Sequence, residues 1–338
     1  HRNLGDFYVG RGDYELGFEH FRKALEYLPK YTEVYNNWGV ALFKQNKHAE
    51  SIPLFNKALE IKKDNTEALI NLANALTLLG KIDEAIGHYQ QIIKAKPEFA
   101  DAHNNLGNAY VFKNRYDEAI ACYTEALRLK PDYAEAHTGF GLALSKKGRT
   151  DEAIAQYREA LRLNPNLMEA HHNLALALAS AGAMDEAMLH YAEAVRLKPD
   201  NAEVRLNYAN AFVKKNQFAE AAAQFEAFLK LEPNHAEAHA SYAFTLAKLT
   251  PPRLQEAEAQ YKKALELNPN QMEAHNNLGW VLSTVGRQAE AIEHYRAAIK
   301  IKPEAVESHF NLGLLLSKQS QLTNAMAEFQ EVLRLNPN

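Results

Sequence analysis

A pattern that returns every 34 residues constrains this chain more than any other feature. Its clearest copy is residues 100–133, ADAHNNLGNAYVFKNRYDEAIACYTEALRLKPDY. At about 3.6 residues per turn this stretch reads as two helices. The first, from about Asp101 to Lys113, places His103, Leu106, Gly107 and Tyr110 on one face. The second, from about Asp117 to Leu129, turns Ala119, Tyr123, Ala126 and Leu127 back toward it. Asn114 and Arg115 make the turn, and Pro131 ends the second helix. Gly107 and Ala119 are small enough for a close helix approach. Neither helix buries its apolar stripe alone, so the unit requires neighbours.

The neighbours follow at once, as AEAHTGFGLALSKKGRTDEAIAQYREALRLNPNL over 134–167 and MEAHHNLALALASAGAMDEAMLHYAEAVRLKPDN over 168–201. The recurring order is His or aromatic, Leu-Gly, Tyr, then Ala, Tyr, Ala and Pro. This pattern resembles the tetratricopeptide-repeat (TPR) family over essentially the whole chain. The resemblance implies an all-α fold: a right-handed α-solenoid of about ten tandem helix-turn-helix units, with first helices on a concave face and second helices outside. The units are read as 1–31, 32–65, 66–99, 100–133, 134–167, 168–201, 202–235, 236–271, 272–305 and 306–338, forming one domain. Repeat eight is two residues longer, its extra length falling at Thr250–Arg253, where Pro251 and Pro252 end the first helix. Pro53 is expected within about the first turn of its helix, where a missing N–H is tolerated.

A repeat array needs little besides its stacking core, and composition agrees. Apolar residues make up 47% of the 338, enough to fold. Lys and Arg number 38 against 42 Asp and Glu, a net charge of −4 that argues against a nucleic-acid surface. Cys122 is the only cysteine, which rules out an intrachain disulfide and fits a reducing, cytoplasmic setting. No apolar run is long enough to insert into a membrane. The chain begins part-way through a first helix and stops at a repeat boundary, so it reads as an excerpt of a longer protein. Met326, Phe329, Val332 and Leu333 on the last helix, with no closing helix after them, are candidates for self-association.

Function is sought on the first helices. Two residues after the His or aromatic stand Asn3, Asn37, Asn71, Asn105, Asn173, Asn207, Asn277 and Asn311, interrupted by Gly139 and Ser241. Asn74, Asn108 and Asn210 follow three residues later on the same face. Asparagine is a mediocre helix former, but its carboxamide both donates and accepts. A row of such groups can hold the backbone of an extended peptide without reading its side chains. The row resembles the asparagine ladder of O-linked N-acetylglucosamine transferases, whose TPR superhelix holds extended protein substrates. That resemblance raises the alternative of a substrate-recruiting arm of a larger glycosyltransferase. The competing reading of the row is structural: the amides bridge neighbouring helices. The gaps at Gly139 and Ser241 have two readings, room for a bulky peptide side chain or no functional meaning.

Other charged positions have simpler explanations. Lys44, Lys146, Lys214, Lys248 and Lys318 end first helices, where the dipole favours cations. Glu33, Glu67, Asp101, Glu135, Glu169, Glu203, Glu237, Glu273 and Glu307 stand near first-helix starts. They oppose the lysine that a chaperone-tail carboxylate clamp of the TPR family places there. His103, His137, His171, His239, His275 and His309 follow the period, as do His20, His88, His190 and His294, which assigns them to packing rather than metal. His235 to His239 has its glutamate misplaced for a zinc-protease motif, and Gly139-Phe-Gly141 lies within a helix, not a dinucleotide loop. No phosphate loop or Gly-x-Ser-x-Gly elbow is present. The expectation is a non-catalytic scaffold without cofactor or metal, binding protein segments along its concave groove. Asn71, Asn74, Asn105 and Asn108 are the expected centre.

Overall fold

The computed structural model describes residues 1–337 and confirms the all-α solenoid. It holds twenty α-helices and, among the described residues, no strand. The first helices of the ten repeats are α1 (Arg2–Gly10), α3 (Thr32–Lys44), α5 (Thr66–Leu78), α7 (Ala100–Phe112), α9 (Ala134–Lys146), α11 (Met168–Ser180), α13 (Ala202–Lys214), α15 (Ala236–Lys248), α17 (Met272–Thr284) and α19 (Val306–Lys318). The second helices are α2 (Tyr14–Tyr27), α4 (His48–Ile61), α6 (Ile82–Ala95), α8 (Tyr116–Leu129), α10 (Thr150–Leu163), α12 (Met184–Leu197), α14 (Phe218–Leu231), α16 (Leu254–Leu267), α18 (Gln288–Ile301) and α20 (Leu322–Leu335). The chain forms two compact units, His1–Ala177 and from Leu178 onward; the division falls inside α11.

Turn chemistry explains the helix pairing. Nine of the ten intra-repeat turns place one residue in the left-handed region: Gly12, Asn46, Gly80, Asn114, Gly148, Gly182, Asn216, Gly286 and Ser320. Around Asn114 the backbone closes a Schellman motif, with Arg115 N–H on the Tyr110 carbonyl (2.9 Å) and Asn114 N–H on that of Val111 (2.9 Å). Glycine and asparagine tolerate this conformation best, which is why they recur there. Repeat eight differs: α15 ends at Lys248, ahead of a cis Thr250–Pro251 bond. Pro53 is the sixth residue of α4, further in than its sequence position suggested. It therefore removes a helical partner from the Ala49 carbonyl. Both residues are exposed, so water can take that bond.

Within the first unit, α1, α3, α5, α7 and α9 lie side by side, each packed against its own second helix. In the second unit α15, α17 and α19 do the same. Both helices of each repeat contribute to the core, and the second helices supply its buried rings. Phe21, Phe55, Tyr89, Tyr123 and Tyr157 in the first unit, and Tyr191, Phe225, Tyr261 and Tyr295 in the second, are almost wholly buried. Opposite them stand Ala or Gly. A Cβ on Gly107 would lie 2.8 Å from the Tyr123 ring, so the ring occupies space that any larger residue would claim.

The periodic histidines are clamps between repeats. Nε2 of His103, His137, His171, His239, His275 and His309 faces the carbonyl of Pro97, Pro131, Pro165, Pro233, Pro269 and Pro303 at 2.8–3.2 Å. Each proline closes the preceding repeat. The other ring nitrogen reaches across to the second helix: His137 to Gln156 at 2.7 Å, His239 to Gln260 at 2.6 Å, and His275 to His294 at 2.9 Å.

The last of these pairs carries a pH consequence. Burial pushes the His275 imidazole below its ordinary range. His294 is lowered by burial and then by the neighbouring His275. Two lowered imidazoles take up protons less readily folded than unfolded, where the value is about 6.5. Stability is then fully present above that value and falls as pH drops below it. Melting temperature measured from pH 7.5 to 5.5 should fall less steeply in His294→Gln, which installs the partner already used by His137 and His239. An unchanged slope would remove the pair from the account.

Candidate binding face

The face formed by the first helices of the first unit carries a cleft of about 570 Å³. It is lined by Asn74, Asn105 and Asn108 and by Phe43, Leu78, Val111, Phe112 and Leu142. Phe112 is 67% exposed and Leu78 59%. Each stands 34 residues from the next in the column Lys44, Leu78, Phe112, Lys146. By sequence the lysines of that column read as helix ends, and the two apolar replacements between them carry no motif of their own. That break in the period was the available signal.

The cleft amides are held by hydroxyls from beneath. Tyr89 Oη donates to Asn74 Oδ1 at 2.6 Å, and Tyr123 Oη donates to Asn108 Oδ1 at 2.6 Å. Asn105 Nδ2 also donates to Asn74 Oδ1, at 3.3 Å. Burial raises both tyrosines above the usual phenol range, so they remain donors at any physiological pH. With their oxygens occupied, Asn74 and Asn108 keep their Nδ2 groups without a bond among the described residues.

The rest of the asparagine row is placed differently. Asn37 Nδ2 donates to Asp6 at 2.9 Å and Asn71 Nδ2 to Asn36 Oδ1 at 2.9 Å, each tying one repeat to the one before. Asn3 is exposed and accepts from the Arg2 guanidinium at 3.1 Å. Asn173 and Asn207 are half-buried on α11 and α13. Asn311 donates to Asn276 Oδ1 at 3.3 Å, an oxygen that also accepts from Ser308 at 3.0 Å. In the second unit Asn210 and Asn277 line a smaller pocket of about 220 Å³. The structure thus brings together Asn74, Asn105 and Asn108 in one cleft and Asn210 with Asn277 in another, and sets Asn3, Asn37, Asn71 and Asn311 outside both.

The two gaps in the row have different contents. At Gly139 a Cβ would lie 2.6 Å from Tyr123 Cζ and 2.7 Å from its hydroxyl, so that space belongs to the tyrosine. At Ser241 the space is open and forms part of the smaller pocket. Among the apolar residues, Trp280 and Leu314 are each 42% exposed, in the register where α5, α7 and α13 carry asparagine. Burial pushes the Cys122 thiol up to about 11, which leaves it un-ionised at neutral pH. Among the described residues no three His, Cys, Asp or Glu side chains gather as metal ligands, and no helix is long and apolar enough to cross a membrane.

Known families match the same architecture. The family model described as the cilia and flagella-associated protein 70 C-terminal domain, a TPR model, matches residues 31–246. Tetratricopeptide-repeat models match 260–293, 285–320 and 306–338. The chain belongs to the tetratricopeptide-repeat family. No curated protein sequence matches this TPR chain significantly. Among solved structures, the APC/C hetero-tetramer Cut9–Hcn1 aligns at TM-score 0.55 with 20% identity, over 87% of this chain and 59% of that one. PilF of Pseudomonas aeruginosa aligns at 0.51 with 20% identity, over 61% and 92%. YrrB, described as a TPR protein with an unusual peptide-binding site, aligns at 0.49 with 26% identity, over 55% and 95%. The first two likenesses are to the TPR solenoid fold. TPR modules are in general scaffolds for protein–protein interaction rather than catalysts.

Proposed function

We propose that this TPR chain is a non-catalytic scaffold that holds an extended segment of a partner protein on the first-helix face of its first unit. A bulky apolar side chain of the segment enters the cleft against Phe43, Leu78 and Phe112. Carbonyls of its backbone accept from the Nδ2 groups of Asn74 and Asn108. The observation that carries this reading is the pairing of an open apolar cleft with amides whose orientation is already fixed by Tyr89 and Tyr123. Fixed donors spare the ordering cost that weakens flexible surfaces. The amides contribute only about 0.5–1.5 kcal/mol each. An apolar anchor in a desolvated pocket contributes about 2 kcal/mol or more.

A random-peptide display library selected on the full chain tests this directly. Selected peptides should share a bulky apolar residue and lose about ten-fold or more in affinity to Phe112→Glu. Melting should be unchanged, because Phe112 is largely exposed. Asparagine-to-alanine variants are a poorer probe. Asn74, Asn105 and Asn108 all have bonds within the chain, so their loss also loosens the stack. Peptides that ignore Phe112→Glu would move the site elsewhere.

A further inference from the structure

The smaller pocket differs from the cleft in chemistry. In α15 the two positions that carry Asn104–Asn105 in α7 and Asn276–Asn277 in α17 are Ala240–Ser241. Truncating both side chains opens a pocket of about 220 Å³ between α13, α15 and α17. It is lined by Val213 and Phe244, by Asn210 and Asn277, by Tyr261 of α16 and by Glu273; along the helix direction Glu273 stands nearest the N-terminal side and Val213 furthest from it. Glu273 is exposed and has no ion-pair partner among the described residues. No carboxylate lines the cleft of the first unit.

The surrounding charges favour a cation. Glu237, on the first turn of α15, holds the register of Glu273 one repeat earlier, outside the pocket lining, and lies 3.5 Å from His235. Lys214 and Lys248 stand at the opposite ends of α13 and α15. Their backbone lies about eleven residues, or ~16 Å of helix, from the level of Glu273, so their charge bears on the apolar end of the pocket rather than on the carboxylate. The Lys248 ammonium lies 5.4 Å from the Phe244 ring centroid, so this ring already attracts positive charge. An aliphatic stem along Phe244 with a cationic head at Glu273 matches the pocket's two ends.

We propose that this pocket is a subsite for an arginine side chain of a bound protein segment. The guanidinium pairs with the Glu273 carboxylate. One further N–H donates to the carboxamide oxygen of Asn210, and its methylenes rest on Phe244 and Val213. A planar fork of donors suits a carboxylate flanked by amides better than a point charge does. The proposal rests on the reading that first-helix faces hold extended segments, but its test does not require the first unit's cleft.

The probe is N-acetyl-arginine N-methylamide, titrated onto the full chain and followed by saturation-transfer difference NMR. The citrulline and lysine analogues serve as comparisons. Signal on the arginine methylenes is expected, at least five-fold weaker for lysine and absent for citrulline, which keeps the shape and lacks the charge. Glu273→Gln should abolish it. Ser241→Asn, which restores the residue other repeats carry there, should weaken it at least five-fold, with both melts unchanged. Citrulline or lysine binding as well as arginine, or arginine binding that survives Glu273→Gln, would overturn the subsite. If arginine binding depends on Glu273 while displayed peptides ignore Phe112→Glu, the subsite stands and the first unit's cleft reading falls. If peptides require Phe112 while arginine binding ignores Glu273, the subsite falls alone.

Discussion

Tyr123→Ala is expected to remove about 3–5 kcal/mol from the first unit, the usual cost of deleting a fully buried aromatic ring. The ring is 1% exposed. It is gripped from two sides, since a Cβ on Gly107 of α7 or on Gly139 of α9 would each touch it at under 3 Å. Glycines cannot grow to fill the void, so the site collapses poorly and the cost should lie near the upper end. The hydroxyl adds the bond to Asn108 at 2.6 Å. Tyr123→Phe isolates that bond and should cost about 0.5–1.5 kcal/mol. Because repeats interact only with neighbours, the damage should be local. Urea unfolding followed by circular dichroism should show an early transition in Tyr123→Ala, and hydrogen exchange should place it in α7–α9. A single transition shifted by less than ~1 kcal/mol would show that the ring is not a keystone.

Gly139→Asn is expected to destabilise by about 1–3 kcal/mol, although it completes the asparagine row and replaces a poor helix former. In an exposed helix interior, leaving glycine behind would gain some of the ~1 kcal/mol that glycine costs. Here the new Cβ would fall 2.6 Å from Tyr123 Cζ, and the ring cannot shift freely because Gly107 packs on its other side. The neighbouring ring must move, and with it the hydroxyl that orients Asn108. A double-mutant cycle decides the matter. In Tyr123→Leu, which vacates the ring's far end, Gly139→Asn should cost much less than it does alone. Strict additivity of the two changes would refute the close-approach account.

These two expectations show why the interruptions of the row could not be interpreted from sequence. Gly139 and Ser241 look alike as gaps, since both are small residues in an asparagine column. The difference lies behind them. The ring that reaches the Gly139 position carries a hydroxyl bonded to Asn108, whereas Ser241 has Ala240 beside it and Ala274 across from it. The ring at Gly139 comes from another helix, and the opening at Ser241 depends in part on Ala274 of α17, so neither is visible in a single column. The same holds for the asparagines. The period located all of them, but which nitrogens are spent on a neighbouring repeat depends on residues up to 35 positions away, as for Asn71 and Asn36.

The sequence by itself determined the architecture. A 34-residue period with small residues opposite aromatics specifies helix pairs that must stack, because neither helix can bury its face alone. Glycine or asparagine at the turns fixes the connection, because those residues accept the left-handed backbone. Such rules are local and repeat, so one copy teaches the rest. The tertiary structure alone decided which surface is open. It turned the periodic histidines into ties to proline carbonyls, committed Asn37, Asn71 and Asn311 to neighbouring helices, and left Leu78 and Phe112 exposed beside the amides of Asn74 and Asn108. Availability is a property of the space around a side chain, and that space is bounded by residues from three or four different helices.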